Sequence, residues 1–169
     1  ASLSELANEL NSTFTTCDVL EENFSEKIAI DLKDDQVNGL AYCVGSIDLK
    51  PLKLTKKSDF MQSFNLNLIS ATEIIKALAE NLKKNKGSVV LFSTVASKQG
   101  FPNHAIVASA KGAVEGLTVS LAAEFAPNIR VNCIAPSLTN SKISEFLLKN
   151  EKIAEGIAKM HPLKRLGNG

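Results

Sequence analysis

Residues 88–137 decide how this chain folds: SVVLFST (88–94), a Gly-Pro loop, HAIVASAKGAVEGLTVSLAAEF (104–125) and IRVNCIAPS (129–137). The first and last runs are apolar, short and bounded by polar or turn residues, the pattern of strands covered on both faces in a parallel sheet. Between them Val114, Leu117, Leu121 and Phe125 recur at steps of three and four, one face of a helix. Strand, helix and parallel strand make a right-handed βαβ unit. Lys111 sits near the start of the helix, within reach of the sheet edge where ligands bind.

Working outward, helix and strand signals alternate. Leu3, Leu6 and Leu10 share a helical face, TFTTCDV (13–19) reads as a strand, and Phe24, Ile28 and Leu32 mark a helix over 22–33. VNGLAYCVG (37–45) is the next strand, followed by a polar connection over 46–58. The longest helix covers 59–84, with Phe60, Phe64, Leu68, Ala71, Ile75, Leu78 and Leu82 on one stripe and Gly87 at its end. After Pro136 come short helical pieces carrying Ile143, Phe146 and Leu147, then Ile153 and Ile157, and a closing run of turn residues, HPLKRLGNG (161–169). The alternation predicts an α/β fold around a parallel sheet. About four strands are expected, fewer than the six or more of a complete doubly wound sheet.

Composition narrows the function classes. A chain of 169 residues, 44% hydrophobic and 22% charged, suits one globular domain over 1–169. With 19 basic and 18 acidic residues the formal charge is +1, which gives no electrostatic case for nucleic acid or an anionic membrane. Cys17, Cys43 and Cys133 each fall in an expected strand, form no metal-ligand spacing with the two histidines, and read as buried free thiols of a cytoplasmic protein. No apolar run approaches the roughly 18–20 residues a bilayer span needs, and no signal peptide is visible. The chain opens with Ala inside a helical pattern, which suggests a piece of a longer protein.

In open α/β sheets ligands bind beyond the carboxyl ends of the strands. Here those ends carry Asp18-Val19, Cys43-Val44-Gly45, Ser93-Thr94 and Pro136-Ser137-Leu138-Thr139. Turn chemistry alone explains any one of them. A carboxylate, a glycine, two hydroxyls and a rigid turn on one edge together favour a crevice for a polar ligand.

The runs Lys111-Gly-Ala-Val-Glu-Gly-Leu-Thr, Leu121-Ala-Ala-Glu-Phe-Ala-Pro and Ile129-Arg-Val-Asn-Cys-Ile-Ala-Pro resemble the short-chain dehydrogenase/reductase family. The resemblance implies a three-layer Rossmann-like doubly wound parallel sheet, incomplete here: the first βαβ portion, with its Gly-rich phosphate turn, and the last strand are absent. It implies hydride transfer between NAD or NADP and a small-molecule carbonyl or alcohol. By similarity Asp18 and the Val19 backbone would meet the adenine end of the dinucleotide. Cys43 to Gly45 stand at the family's Asn-Asn-Ala-Gly turn, with only the glycine kept. Pro136 and Thr139 would border the nicotinamide end, and Ser141 would bind its carboxamide. Lys111 would bind the nicotinamide ribose, Thr94 would steady the carbonyl oxygen, and Asn67 would kink the long helix and hold the proton relay. The long helices imply a homodimer or homotetramer, aided by the small residues Ala108, Ala110, Gly112, Ala113 and Gly116, and segment 141–166 implies a substrate lid tolerant of apolar groups.

One position departs from the pattern. The family's proton-donating tyrosine precedes the lysine by four residues, and that position is Val107. The single tyrosine, Tyr42, lies in another strand. His104, near the same angular position as Lys111 on the helix, is one substitute; it also suits the helix start after Pro102. His161 precedes Pro162 in an expected surface turn. Two functions therefore stand side by side, a short-chain oxidoreductase and a catalytically silent nucleotide-binding or scaffold relative.

Overall fold

A computed structural model describes residues 3–168. Its centre is a parallel sheet of β1 (Gly39–Ala41), β2 (Ser88–Phe92) and β3 (Arg130–Ile134), in that order. Leu40 aligns with Val89, and Val89 with Val131, so residues of one parity line a common face. That face carries Leu40, Val89, Leu91, Val131 and Cys133 and packs on Phe24, Ile74, Ile75, Leu78, Leu82 and Val114. These come from α2 (Phe24–Asp31), α4 (Ser70–Lys84) and α6 (Ala105–Phe125). Both crossovers step the same way across the sheet, and right-handed crossovers then put their helices on one side. The opposite face holds Val90, Phe92 and Ile134, the last 50% exposed.

The long helix is one path with a defect. α3 (Lys57–Phe64) runs into a π turn at Asn65–Ile69 before α4 begins. A π turn widens the ladder by one residue and kinks the axis, and Asn67, only 1% exposed, sits in the middle of it. At the far end Lys86 takes the left-handed conformation, φ 49°. Gly87 is required for a different reason: a Cβ there would lie 2.8 Å from Leu82 Cδ2 and 3.0 Å from the Asn38 carbonyl.

Several expectations are corrected. Residues 13–18 form no strand. Their polar groups turn instead to local partners, Thr15 donating to Asp31 (2.6 Å) and Lys27 donating to the Thr16 carbonyl (2.9 Å). A strand exists only where a neighbour completes its ladder, and none does so among the described residues. The strand at 37–45 shortens to three residues, with Tyr42 N–H donating once more to Val90 (3.0 Å) before the chain peels away. Only Cys133 lies in a strand; it and Cys17 are half-buried, while Cys43 is exposed. α6 is long and apolar enough, by length and composition alone, to cross a membrane. Its buried stripe of Ile106, Val107, Ala110, Val114 and Thr118 packs inward against the sheet and α3.

Past β3 the chain forms β4 (Thr139–Asn140), a 3-10 turn at Lys142–Ser144, α7 (Glu145–Leu148), α8 (Glu151–Met160) and β5 (Gly167–Asn168). β4 and β5 pair in parallel, so the closing run expected to be turn returns to the strand tip. α1 (Leu3–Glu9), a 3-10 turn at Leu52–Leu54 and the short α5 (Ala96–Gln99) complete the described elements.

Candidate functional site

The parallel strands end on one edge, and hydrogen bonds tie their tips together there. Ser93 N–H donates to the Ile134 carbonyl (2.8 Å) and Val95 N–H to the Pro136 carbonyl (3.2 Å), which sets Thr94 beside the Pro136-Ser137 turn. The Ser93 hydroxyl meets the Lys111 carbonyl (3.1 Å), joining the first turns of α6 to the same edge. Ser70, at the start of α4, donates to the Val19 carbonyl (2.8 Å).

At the middle of the edge three groups converge. A Cβ on Gly45 would lie 2.7 Å from Asn67 Oδ1 and 3.1 Å from Lys111 Nζ. Only a residue without a side chain leaves that space open. Asn67 Nδ2 donates to the Ser63 carbonyl (2.9 Å), but its buried Oδ1 has no partner. Burial lowers the Lys111 pKa from its ordinary value, with a smaller opposing effect from Cys133. Lys111 Nζ makes no hydrogen bond or ion pair among the described residues. An acceptor-only oxygen and a donor-only ammonium facing one gap suit a hydroxyl group, which accepts from one and donates to the other.

Thr94 Oγ1 accepts from Ala96 N–H (3.2 Å) at the tip of β2. Asp18 folds its carboxylate onto Leu20 N–H (2.9 Å) in a local turn. Cys43 is exposed next to Tyr42, whose hydroxyl donates to the Leu66 carbonyl (2.9 Å) inside the π turn. Burial pushes the Tyr42 phenol up to about 12, so it is a structural tie. Thr139 donates to the Ser137 carbonyl (3.1 Å), and Ser141 precedes the 3-10 turn with its hydroxyl 3.1 Å from Ser144. Thus Gly45, Asn67 and Lys111 come together directly, and Thr94 and Pro136 join through backbone bonds. No hydrogen bond or ion pair joins Asp18 or Thr139 to Lys111 among the described residues. His104 Nδ1 donates to the Pro102 carbonyl (2.7 Å), and no hydrogen bond joins the ring to Lys111, Thr94 or Asn67 among the described residues. A shallow concavity of about 610 Å³ lined by Phe146, Lys149, Asn150, Glu151 and Lys152 lies away from this cluster.

Two groupings went unread in the sequence. Glu115 accepts from Ser93 (2.7 Å), Ser97 (2.5 Å) and Lys98 (2.8 Å), bracketing Thr94 on both sides. His161 Nε2 lies 2.7 Å from Ser137 Oγ, with its Nδ1 2.8 Å from the Ile157 carbonyl. The only sequence hints were residue types, a glutamate one turn after Lys111 and a serine following Pro136.

A sequence profile described as enoyl-(acyl carrier protein) reductase, of the short-chain type, matches residues 1–169. The chain belongs to the short-chain dehydrogenase/reductase family. It is 31% identical over 166 residues to a tropinone reductase homolog of Arabidopsis thaliana, covering 95% of this chain and 63% of the relative. It is 29% identical over 154 residues to carbonyl reductase [NADPH] 2 of Sus scrofa, covering 83% of this chain and 63% of the relative. The structure of ElxO with NADP bound superimposes with a TM-score of 0.86 at 27% identity, covering 98% of this chain and 71% of that one. The chain thus spans less than two thirds of the length of these curated relatives. The fold is the Rossmann-like α/β fold of that family.

Proposed function

We propose that this chain is the part of an NAD(P)(H)-dependent oxidoreductase that grips the nicotinamide half of the cofactor and faces a small-molecule carbonyl or alcohol. The observation that carries the reading is the meeting of Lys111 Nζ and the unpartnered Asn67 Oδ1 over Gly45. A ribose hydroxyl has the donor and acceptor that this pair calls for. The names of similar proteins point the same way: a carbonyl reductase that uses NADPH, and ElxO holding NADP. Lys111 and Gly45 would hold the ribose, Thr94 would donate to the carbonyl oxygen, and Pro136, Thr139 and Ser141 would border the nicotinamide. Cys43, Asp18 and Val19 would follow the cofactor towards the adenine. When bound, the cofactor supplies or takes up a hydride; the chain's residues orient the carbonyl and manage its proton.

The test is a fluorescence titration of the purified protein with NADPH and NADH. Gly45→Ala should weaken binding about tenfold, because overpacking against Asn67 and Lys111 costs on the order of 1–3 kcal/mol. Equal affinity of the two proteins would sink the placement. Val107, 5% exposed and without an exchangeable proton, favours a second reading in which the chain binds the nucleotide without catalysis. Binding of NADPH with no reduction of any carbonyl in a broad panel would select it.

A further inference from the structure

Reduction of a carbonyl requires one proton for the oxygen, and the tyrosine position holds Val107. Tyr42 is tied to Leu66, and His104, bonded through Nδ1 to Pro102, has no hydrogen-bond partner on Nε2 among the described residues. A different pair is arranged for the task. The Ile157 carbonyl can only accept, so the 2.8 Å contact fixes the proton of His161 on Nδ1. Nε2 is then left facing the Ser137 hydroxyl at 2.7 Å, the arrangement of a hydroxyl, a base and a group that orients the base. Ser137 follows Pro136, whose carbonyl accepts from Val95 N–H, so its backbone sits at the strand tip next to Thr94.

We propose that Ser137 and His161 form the proton relay of this site: the Ser137 hydroxyl meets the substrate oxygen, and His161 stands behind it as the proton reservoir. The proposal rests on the oxidoreductase reading above. As the carbonyl carbon gains a hydride from the reduced dinucleotide, its C=O π bond breaks and the oxygen takes the electron pair. The Ser137 Oγ–H proton passes to that oxygen, the imidazolium Nε2–H proton passes to Oγ, and the imidazole regains a proton from solvent. Oxidation runs the same transfers in reverse. In both protonation states Nδ1–H keeps its bond to Ile157, so the ring need not turn.

The charged groups around His161 are few. Lys159, Lys164 and Arg165 lie on its own segment, and Lys159 is paired with Glu155 (3.8 Å). α7, packed on α8, brings Glu145, with Lys149 just after it. The strand tip over 136–141 carries no titratable side chain.

Two measurements test the relay, one of them free of turnover. In the protein without dinucleotide, proton–nitrogen NMR of His161 should show the neutral ring protonated on Nδ1; a ring protonated on Nε2 would overturn the proposal. The parent protein should reduce 4-nitrobenzaldehyde with NADPH. His161→Gln keeps a side chain able to hydrogen-bond Ser137 but has no proton to give. It should cut kcat about 100-fold or more, with NADPH affinity unchanged. Ser137→Ala should do the same and Ser137→Thr should restore most of the rate. A His161→Gln protein within about threefold of the parent rate would reduce the contact to a latch for α8 and end the proposal. NADPH binding with no reduction by the parent protein would also end it, while leaving the cofactor reading intact; no NADPH binding would end both.

Discussion

Three donors meet at the carboxylate of Glu115, which is 20% exposed. The hydrogen bond from Lys98, then those from Ser97 and Ser93, hold its pKa down to about 2. A depressed carboxylate stabilises the fold fully above its unfolded value, about 4.3, and the gain is lost as pH falls towards about 2. Glu115→Gln should therefore cost about 1–3 kcal/mol at pH 7 and flatten the acid limb of the stability curve. Urea unfolding at a series of pH values reads both effects, and an unchanged acid limb would contradict the assignment. Lys111, Asn67 and Gly45 are expected from sequence because the runs around them resemble a family pattern, and the fold brings the three together. Glu115 with Ser97, and Ser137 with His161, are 18 and 24 residues apart. No local spacing rule connects such pairs, so only the folded chain displays them.

Elements were legible where a covered face imposed a period. The stripe from Phe60 to Leu82 became the helix its period predicts; the bounded apolar run SVVLF became a strand, though only Val89 and Leu91 are fully covered rather than both faces. The π turn left no mark on that stripe, because one extra residue in the ladder barely disturbs a count of threes and fours. The run TFTTCDV has strand propensity, yet propensity without a ladder partner does not make a strand. By sequence Gly87 fits a helix stop, whereas the close approach of Asn38 is what demands it. Gly87→Ala should lower stability by about 1–3 kcal/mol through overpacking. The Asn38 carbonyl cannot retreat without losing its bond from Ser88 N–H (3.1 Å). A urea midpoint equal to that of the parent would show that the joint has slack.

At the scale of the whole molecule, one face of the sheet carries α2, α4 and α6, and α6 still presents Gly116 and Val119 to solvent, the latter 71% exposed. From that face and the family resemblance we expect a homodimer or homotetramer, read by static light scattering at micromolar concentration; a monomer alone would count against it. The α/β class followed from alternation alone, whereas the order of the three strands is seen only in the fold. The β4–β5 pair did not follow from alternation either, since a two-residue ladder has no periodicity to detect. One consequence lies in the bond from Tyr42 to Leu66. The chain contains no tryptophan and a single tyrosine. Its tyrosine emission therefore comes from one ring anchored at the helix defect that presents Asn67, and the protein carries its own optical gauge of whether that joint is intact.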